Sequence, residues 1–485
     1  MEKNIKIDYD VAIIGFGATG VSFLKSLQSF SHEQSLKNLR IAIISEEKTL
    51  ALGKAFQQCD EIHRVNTPPE LMSIQEEDIL GFKHWLALQN YTEKYPPRHL
   101  FAKYLTHVFN DIKKDKNFTI DIIEEEAIDI SKEKDNFLSI RTSGYTIKSK
   151  RVVLCLGAIT TSKFKYLNEK LVLPHQISRL NNKQHESIAV AGTGLTAIDC
   201  IRHLKKQGIK KVFIFSRKNM LPTPITVENK YIPKHFVWQN IKNELISTPK
   251  ENRLNVLITL FQKEISLLNE NEYNISNSLL TNEKYNDYFN YILNKAKTSN
   301  LPIQDLLAST RRFSHKIWKL LCDEDKNTFL QNFGSYWAAW RHPIPLFILE
   351  EIQKDFNSGF IEVVKSAKVT LTENHILLKN EKNQKSFTVN ALVDATGGTI
   401  DIKTSESLLI KNLLTKNIVI PHICGGIKTD SLNFKVKNNY NIELYNLGPL
   451  SKGDLLSTNA FWYNSKCANE LAYLFANSLK EVESL

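Results

Sequence analysis

Two glycine-rich turns constrain the fold of this chain more than any other feature of its sequence. The first, Gly15–Gly20, matches the pattern G-x-G-x-x-G and follows the apolar run Asp10–Ile14, which predicts a buried strand. The next segment, Val21–Phe30, has helical spacing, and Arg40–Ser45 is a second buried-strand pattern. Such a unit places a tight turn and the N–H groups of a helix N-terminus where they can bind a pyrophosphate. We therefore expect a dinucleotide to contact Gly15, Gly17, Ala18, Thr19 and Gly20.

An acidic pair, Glu46 and Glu47, follows the second predicted strand. A carboxylate at this point can accept hydrogen bonds from the hydroxyl groups of a bound ribose. We assign that contact to Glu46. The alternative is that both residues are solvated loop carboxylates.

The second glycine-rich turn lies near the middle of the chain. Ser187–Ala191 predicts a strand, a helix follows the turn as far as about Gln207, and Val212–Phe215 predicts another strand. The turn itself has Ala197 as its third small residue. We expect a second dinucleotide to contact Gly192, Gly194, Leu195 and Thr196.

The residues after the last of these strands suggest which nucleotide binds at the second turn. The strand ends at Ser216-Arg217-Lys218, with no acidic residue. A 2′-phosphate would repel a carboxylate and would pair with guanidinium and ammonium groups. Arg217 therefore favours NADPH over NADH, and the alternative is that Arg217 is only a surface residue.

Two dinucleotide turns in one chain need two nucleotides, whereas a simple dehydrogenase needs one. The arrangement is typical of an enzyme that holds FAD permanently and takes hydride from a visiting nicotinamide. We therefore predict FAD and NADPH as cofactors. The predicted fold class is α/β, with two Rossmann-like domains, one for FAD and one for NAD(P), and a helical insertion.

The domain boundaries are predicted from the order of these patterns. Residues 1–180 and 366–485 are assigned to an FAD-binding domain, and residues 181–233 plus 333–365 to an NAD(P)-binding domain. Residues 234–332 are polar and rich in Asn and Lys, with helical stretches such as Arg253–Asn269. Because ordinary Rossmann domains lack such a block, we interpret it as a helical insertion or cap.

Cysteine and histidine patterns exclude several kinds of chemistry. None of the six cysteines forms a C-x-x-C pair, which argues against dithiol reductases and zinc ribbons. No H-E-x-x-H or Cys/His cluster is present, so no metal is predicted. Cys155 and Cys200 stand in apolar segments and are interpreted as small core residues.

The charge pattern predicts small-molecule partners. The net charge is +11, but lysine is spread along the whole chain, so we expect a lysine-rich surface and no specific nucleic-acid partner. The apolar runs are too short for a membrane span, and the polar segment Met1–Tyr9 lacks the apolar core of a secretory signal. We therefore expect a cytoplasmic protein.

The chain resembles the bacterial FAD-NAD(P)-binding family of two-dinucleotide-binding-domain flavoproteins, which are related to flavin-dependent monooxygenases. The matching segments keep their order over nearly the whole sequence. Besides the two turns they are Gly53–Phe56, Val65–Pro68 with Met72-Ser73, Pro97-Arg98, Lys103–Leu105, Leu156-Gly157, Ser216-Arg217, Leu221-Pro222, Trp337 with Arg341–Pro343, Ala395–Gly397, Leu447–Leu450, Gly453 and Thr458–Ala460.

The resemblance implies roles for several residues outside the two turns. Asn66 would lie beside the flavin ring and hydrogen-bond to it or to a substrate; equally, it could only hold its own turn. The segments Leu154–Gly157 and Ala395–Gly398 resemble strand ends at which the chain crosses between domains, and Gly448 and Gly453–Ala460 resemble the loop that covers the flavin. The cofactor contacts implied in this way are Arg98, Gly157, Gly397, Gly448 and Thr458.

Two departures from the family pattern concern the chemistry. Cys155 replaces a commoner Ala or Thr, and Trp337–Pro345 keeps only Arg341 and His342 of a His-Arg-His-Arg-like run. These two residues are candidates for contact with the substrate or the nicotinamide. The alternative is that both are structural residues at a helix end.

Three functions are consistent with these motifs. The first is an NADPH-dependent FAD monooxygenase of a small, nitrogen-containing metabolite, with molecular oxygen as co-substrate and the helical block as a cover that excludes water. The second is an NAD(P)H-dependent reductase or dehydrogenase that passes electrons to a quinone or another small acceptor. The third is a flavin-binding scaffold or sensor. We favour the first.

Overall fold

The computed structural model describes residues 3–57, 59–133, 137–159, 161–226, 230–268, 285–365, 367–381, 383–397 and 401–483. The chain forms two compact units. Unit 1 comprises Met1–Thr161 and Gly398–Leu485, and unit 2 comprises Ser162–Gly397. No helix among the described residues is long and apolar enough to span a membrane.

Unit 1 contains a seven-stranded sheet in the order β3-β2-β1-β6-β5-β4, with β15 also paired to β6. The neighbours of β1 are parallel, as is β15, whereas β4 and β5 form an antiparallel extension. The strands are β1 (Lys3–Ile14), β2 (Leu39–Ile44), β3 (Phe118–Ile123), β4 (Asp129–Lys132), β5 (Leu138–Arg141), β6 (Tyr145–Leu154) and β15 (Leu444–Asn446).

The helices of unit 1 cover both faces of this sheet. They are α1 (Ala18–Glu33), α2 (Gly53–Phe56), α3 (Gly81–Leu88), α4 (Arg98–Ile112), α14 (Leu408–Thr415), α15 (Lys452–Leu455) and α16 (Phe461–Glu483). Alternate β1 side chains enter different cores: Val11 and Ile13 pack with α1, α4 and α16, whereas Ala12 and Ile14 pack on the side of α14. A strand that is buried on both faces has a continuous run of apolar residues, which explains the apolar run from which this strand was predicted.

Unit 2 contains a five-stranded parallel sheet in the order β10-β9-β8-β14-β7 and a separate three-stranded antiparallel sheet. The strands of the parallel sheet are β7 (Leu171–Val172), β8 (Ser187–Ala191), β9 (Lys211–Phe215), β10 (Ile361–Val363) and β14 (Ala391–Asp394). The antiparallel sheet consists of β11 (Ala367–Leu371), β12 (Ile376–Asn380) and β13 (Ser386–Val389). Helix α5 (Leu195–Lys206) follows β8.

The regular elements described between β9 and β10 are all helical. They are α6 (Trp238–Ser247), α7 (Arg253–Ile265), α8 (Tyr285–Lys297), α9 (Pro302–Ser309), α10 (Ser314–Leu320), α11 (Asp323–Asn332), α12 (Gly334–Arg341) and α13 (Leu346–Asn357), with short 3-10 turns between some of them. Residues 269–284 of the predicted insertion lie outside the described ranges. Helix α8 packs on α13, and both contribute to the same hydrophobic core as β8 and β9.

The structure moves both predicted domain boundaries. The sequence placed them at 180 and 366, whereas the compact units divide after Thr161 and after Gly397. The reason is strand pairing: β7 pairs with β14, and β14 pairs with β8, so residues on the far side of both predicted boundaries belong to the sheet of unit 2. Which cofactor each unit binds remains a prediction.

A buried carboxylate anchors the start of the helical block. Glu264 on α7 is fully buried and accepts hydrogen bonds from the hydroxyl of Tyr231 and from the backbone N–H groups of Lys234, His235 and Phe236. Burial alone would raise the pKa of Glu264, but these donors outweigh it and hold the pKa below its usual value. The ionised carboxylate therefore fixes the segment that leads into α6.

Replacing this carboxylate is expected to destabilise unit 2. Glu264→Ala leaves buried N–H groups without an acceptor and should cost about 3–5 kcal/mol of unfolding free energy, measured by urea denaturation. The exposed Glu251 next to the same helix provides the control Glu251→Ala, which should change stability by less than about 0.5 kcal/mol. Because the folded-state pKa of Glu264 is lowered, its contribution is present above the ordinary value of 4.5 and is lost as the pH falls below it. Equal stability of both variants would contradict the assignment.

Candidate functional site

The first glycine-rich turn of unit 1 lies at the carboxyl end of β1 and leads directly into α1. Gly15 has a φ of 77°, its N–H donates to the carbonyl of Ile44 at 2.9 Å, and a Cβ there would lie 2.7 Å from the carbonyl oxygen of Cys155. Gly17 occupies the N-cap position of α1, and a Cβ on it would lie 3.1 Å from the Cα of Gly53. The turn is therefore closed to side chains, and the N-terminus of α1 provides free N–H groups for an anion.

Three strand ends meet at this turn. The N–H of Cys155 donates to the carbonyl of Ile14 at 2.8 Å, and the N–H of Leu447 donates to the carbonyl of Leu154 at 2.9 Å. Gly448 has a φ of 89°, and a Cβ on it would lie 3.7 Å from Oγ1 of Thr19. The structure thus brings together the predicted contacts Thr19 and Gly448, which are far apart in the sequence.

The predicted ribose contact lies on the neighbouring strand. Glu46 follows β2, its side chain is 34% exposed, and Oε1 lies 3.6 Å from Nζ of Lys48. Because β2 is parallel to β1, its carboxyl end lies at the same edge of the sheet as the glycine turn. The position is suitable for a ribose contact, which remains a prediction.

Arg98 and Asn66 belong to one small substructure. The N–H of Arg98 donates to the carbonyl of His63 at 2.7 Å, and its Nη2 donates to the carbonyl of Arg64 at 3.2 Å. Arg98 therefore holds the backbone two residues before the half-buried Asn66. Gly157, which has a φ of 70°, follows β6 after Cys155.

Buried polar atoms near the C-terminal loop of unit 1 fit a cofactor with both donors and acceptors. Oγ1 of Thr458, Oδ1 of Asn464 and Oδ1 of Asn446 are buried and have no hydrogen-bond partner among the described residues. Two of these residues are linked, since Nδ2 of Asn464 donates to the carbonyl of Thr458 at 2.9 Å. Buried polar groups normally find partners, and the polar edge of a flavin offers suitable ones.

A buried polar network near the same loop was not predicted from the sequence. Oδ2 of Asp454 accepts the N–H of Thr429 at 2.8 Å, and Nδ2 of Asn446 donates to Oγ1 of Thr429 at 3.0 Å. Oδ1 of Asp454 lies 3.7 Å from Nε2 of His422, and a Cβ on Gly453 would lie 2.3 Å from Cγ of that imidazole. Asp454 is therefore a loop-fixing carboxylate. The only sequence signal was the Gly453-Asp454 pair.

The second glycine-rich turn occupies the equivalent place in unit 2. Gly192 has a φ of 120°, and a Cβ there would lie 2.4 Å from the carbonyl oxygen of Ala395. Gly194 caps α5, and a Cβ on it would meet no atom within 4 Å. The half-buried Leu195 and the exposed Thr196 lie in the first turn of this helix, which contains no acidic residue. The site is therefore open toward solvent and electrostatically suited to a pyrophosphate.

The basic turn predicted to bind a 2′-phosphate lies beside this site. Oγ1 of Thr193 and Oγ of Ser216 are 3.0 Å apart, which joins the glycine turn to the Ser216–Lys218 turn after β9. Arg217 is exposed, and Nζ of Lys218 lies 5.9 Å from the ring centroid of Tyr336. The geometry is suited to a phosphorylated ribose.

The remaining predicted residues of unit 2 lie at the ends of α12 and β14. Arg341 is 5% exposed, and burial together with the nearby positive charge of Arg311 lowers its pKa to about 9. His342 is half-buried and ends α12, with its N–H donating to the carbonyl of Ala338 at 3.3 Å. The segment Ala395–Gly398 was predicted to cross between the domains. Its last described residue is Gly397, which has a φ of 95°, and Gly398 lies outside the described residues.

The thiol of Cys155, the residue that follows β6 beside the first glycine turn, is unsuited to redox catalysis. All six cysteines are free thiols, and Cys155, Cys200, Cys424 and Cys467 are buried. Burial raises the pKa of Cys155 to about 12, so it stays protonated at neutral pH and cannot act as a thiolate nucleophile. The prediction that Cys155 and Cys200 are core residues is confirmed.

Comparison with known proteins agrees with this geometry. Residues 12–159 match the FAD-NAD(P)-binding family. The fold is similar to that of ornithine N-hydroxylase from Kutzneria sp. 744, with a TM-score of 0.60, 12% identity and coverage of 98% of this chain and 100% of that one. L-lysine 6-monooxygenase from Pseudomonas syringae gives a TM-score of 0.59 and 14% identity, with 97% and 100% covered.

A third similar structure is a bacillithiol disulfide reductase from Bacillus cereus, with a TM-score of 0.53, 13% identity and 97% and 100% of the two chains covered. No functionally curated protein matches the sequence. The predicted family resemblance is confirmed over residues 12–159, and the predicted α/β fold class with two Rossmann-like domains is confirmed. The roles of the individual site residues remain predictions.

Proposed function

We propose that this chain, which matches the FAD-NAD(P)-binding family over residues 12–159, is an FAD-dependent oxidoreductase that uses NADPH. The observation that carries the proposal is that both units contain the same structural arrangement. Each unit has a sheet whose central strands are parallel, a glycine turn without side chains at the end of one of these strands, and a helix N-terminus directly after it. One corner is assigned to a resident FAD and the other to a visiting nicotinamide nucleotide.

In unit 1 the chain's own groups position the flavin nucleotide. The backbone N–H groups of Gly17, Ala18 and Thr19, at the turn and the start of α1, bind the pyrophosphate, and Glu46 accepts hydrogen bonds from the ribose hydroxyls. Gly448 and Thr458 contact the cofactor from the C-terminal loop, where Asp454 fixes the backbone through Thr429. Asn66 is assigned to the ring or the substrate, with Arg98 holding its loop. A bound FAD would supply the redox chemistry, with NADPH as the hydride donor.

In unit 2 the chain binds the electron donor. Gly192, Gly194, Leu195 and Thr196 take the pyrophosphate of NADPH, and Arg217 takes its 2′-phosphate. Arg341 and His342 are proposed contacts of the substrate or the nicotinamide, and Gly157 and Gly397 let the backbone pass close to a cofactor.

The proposed reaction is oxygenation of a small amine by NADPH and molecular oxygen. Two of the proteins with similar structures are an ornithine N-hydroxylase and an L-lysine 6-monooxygenase, which supports an amine substrate. The protonated Cys155 thiol beside the Gly15 corner disfavours thiol chemistry. A small-acceptor reductase is the second candidate, because a disulfide reductase shares the fold.

Coupled turnover separates these two reactions. The purified protein is mixed with NADPH, oxygen and ornithine, lysine or cadaverine in turn. We expect one amine to accelerate NADPH oxidation and to yield a hydroxylamine product. NADPH oxidation that depends on a quinone or disulfide, with no oxygenated amine, would favour the reductase.

The contact between Arg217 and the 2′-phosphate gives a testable preference. Arg217→Ala should raise the KM for NADPH about tenfold and leave the KM for NADH nearly unchanged, because NADH lacks the phosphate. Steady-state kinetics with both donors measures this. Lys183→Ala removes another exposed cation of unit 2 and should change neither KM. Equal effects of Arg217→Ala on both donors would remove the case for a phosphate contact.

A cytoplasmic location is also proposed. All six cysteines are free thiols, as is usual where glutathione and thioredoxin keep proteins reduced. The proposed partners are a small-molecule substrate and molecular oxygen.

A further inference from the structure

Arg341 is a buried cation that has no counter-ion within the part of the chain that the structure describes. It ends α12 and is 5% exposed, and its Nε is fully buried with no hydrogen-bond partner among those residues. Among the described residues no carboxylate acts on its charge; only burial and Arg311 do. Arginine at a helix end commonly bonds to the last carbonyl groups, but the Nε of Arg341 does not do so.

The charge of Arg311 makes the burial of Arg341 less favourable. Arg311 lies in the 3-10 turn Thr310–Arg312, which continues directly from α9, and α9 packs against α12. Two guanidinium groups that approach one another in a partly desolvated place repel each other. Asp305, the buried carboxylate on α9, does not act on the charge of Arg341. It accepts hydrogen bonds from the N–H groups of Lys230 and Tyr231 instead, at 2.9 and 3.1 Å.

The position of Arg341 relates it to the nucleotide side of unit 2. The segment after the Ser216–Lys218 turn runs along α12, where the N–H of Thr223 donates to the carbonyl of Ala339 at 2.9 Å. Lys218 lies against Tyr336 on the same helix. A ligand bound at the second glycine corner is therefore on the side of unit 2 that α12 helps to build.

We propose that Arg341, together with Arg311, binds an oxyanion, either a phosphate of the nicotinamide nucleotide or a carboxylate of the substrate. A guanidinium offers a planar fork of donors that matches both groups. An anion there would satisfy the buried Nε donor and remove the repulsion between the two arginines. The inference rests on the proposed function only for the identity of the anion, since the site requires neither FAD nor turnover.

Thermal unfolding of the purified full-length chain in an anion-poor buffer tests the site. Inorganic phosphate or acetate should raise the Tm of the wild type by roughly 1–3 °C at about ten times its Kd. Arg341→Met should abolish this shift, and Arg311→Met should reduce it. Without added anion, Arg341→Met should unfold at the same or a higher temperature, because it removes a buried, unpaired charge.

The adjacent exposed arginine provides the matched control: Arg312→Met should keep the full anion-dependent shift. Should Arg341→Met not fold, Arg341→Lys keeps the charge without the fork and should show a reduced shift. The proposal is overturned if neither anion shifts the wild type, or if both shift Arg341→Met as much as the wild type.

Calorimetry with NADP⁺ distinguishes the two sources of the anion. If the ligand is a nucleotide phosphate, Arg341→Met raises the Kd for NADP⁺ at least roughly tenfold. If the ligand is a substrate carboxylate, the Kd for NADP⁺ is unchanged while the acetate-dependent shift is lost. Because neither titration needs a redox reaction, failure of the anion site and failure of the proposed activity give different results.

Discussion

Gly15→Ala is expected to yield a protein without FAD. A Cβ at this position would lie 2.7 Å from the carbonyl oxygen of Cys155, and the φ of 77° is unfavourable for any L side chain. The turn can accept alanine only by moving away from β6, which displaces the N–H groups at the start of α1. We expect less than about a tenth of the wild-type FAD content, together with about 1–3 kcal/mol of backbone strain.

The measurement is the flavin absorbance of the purified variant relative to its protein absorbance. Gly359→Ala is the matched control, because Gly359 has a similar φ of 74° but a Cβ there would meet no atom within 4 Å. It should show the strain without the loss of FAD. Wild-type flavin content in Gly15→Ala would contradict the assignment of FAD to unit 1.

Gly194→Ala is expected to weaken NADPH binding without disturbing the fold. The φ of Gly194 is −83°, which alanine adopts readily, and a Cβ there would meet no protein atom within 4 Å. The added methyl group can therefore clash only with a ligand that approaches the backbone closely. We expect the KM for NADPH to rise about 10- to 100-fold, with stability changed by less than about 1 kcal/mol.

Gly192→Ala provides the contrast at the same turn. A Cβ at Gly192 would lie 2.4 Å from the carbonyl oxygen of Ala395, so this variant should lose stability as well as NADPH binding. Anaerobic stopped-flow reduction of the flavin measures binding, and urea denaturation measures stability. If Gly194→Ala binds NADPH as tightly as the wild type, no pyrophosphate lies at this corner.

Local sequence patterns were enough to predict the parts that position the two corners. Ser187–Ala191 forms a strand with the predicted bounds, and the helices α1 and α5 start at the residues after Gly17 and Gly194. These parts are predictable because glycine spacing and apolar runs are dictated by contacts within about 30 residues. Strand bounds are predicted wrongly where one apolar run contributes strands to two different sheets.

The segments Phe360–Leu371 and Phe387–Asp394 show this failure. In the sequence each is a single strand-like run, but in the structure each divides into one strand of the parallel sheet and one of the antiparallel sheet. Pairing partners far away in the sequence decide where such a run breaks, and pairing of β14 with β7 and β8 also moved the domain boundaries.

Long-range contacts also explain what was missed in the candidate sites. The hydrogen bond between Asp454 and Thr429, and the electrostatic effect of Arg311 on Arg341, link residues that share no sequence motif. Neither residue type is informative alone, since an aspartate or an arginine in a polar segment is normally solvated.

Anaerobic mixing of the purified protein with NADPH tests the central claim, that one chain holds FAD in unit 1 and reduces it from a nucleotide bound to unit 2. The visible absorbance of the protein is recorded before and after one equivalent of NADPH is added. We predict a yellow protein whose flavin bleaches, and bleaches more slowly with NADH. A colourless protein that takes up no added FAD, or a bound flavin that neither nucleotide reduces, would contradict the account.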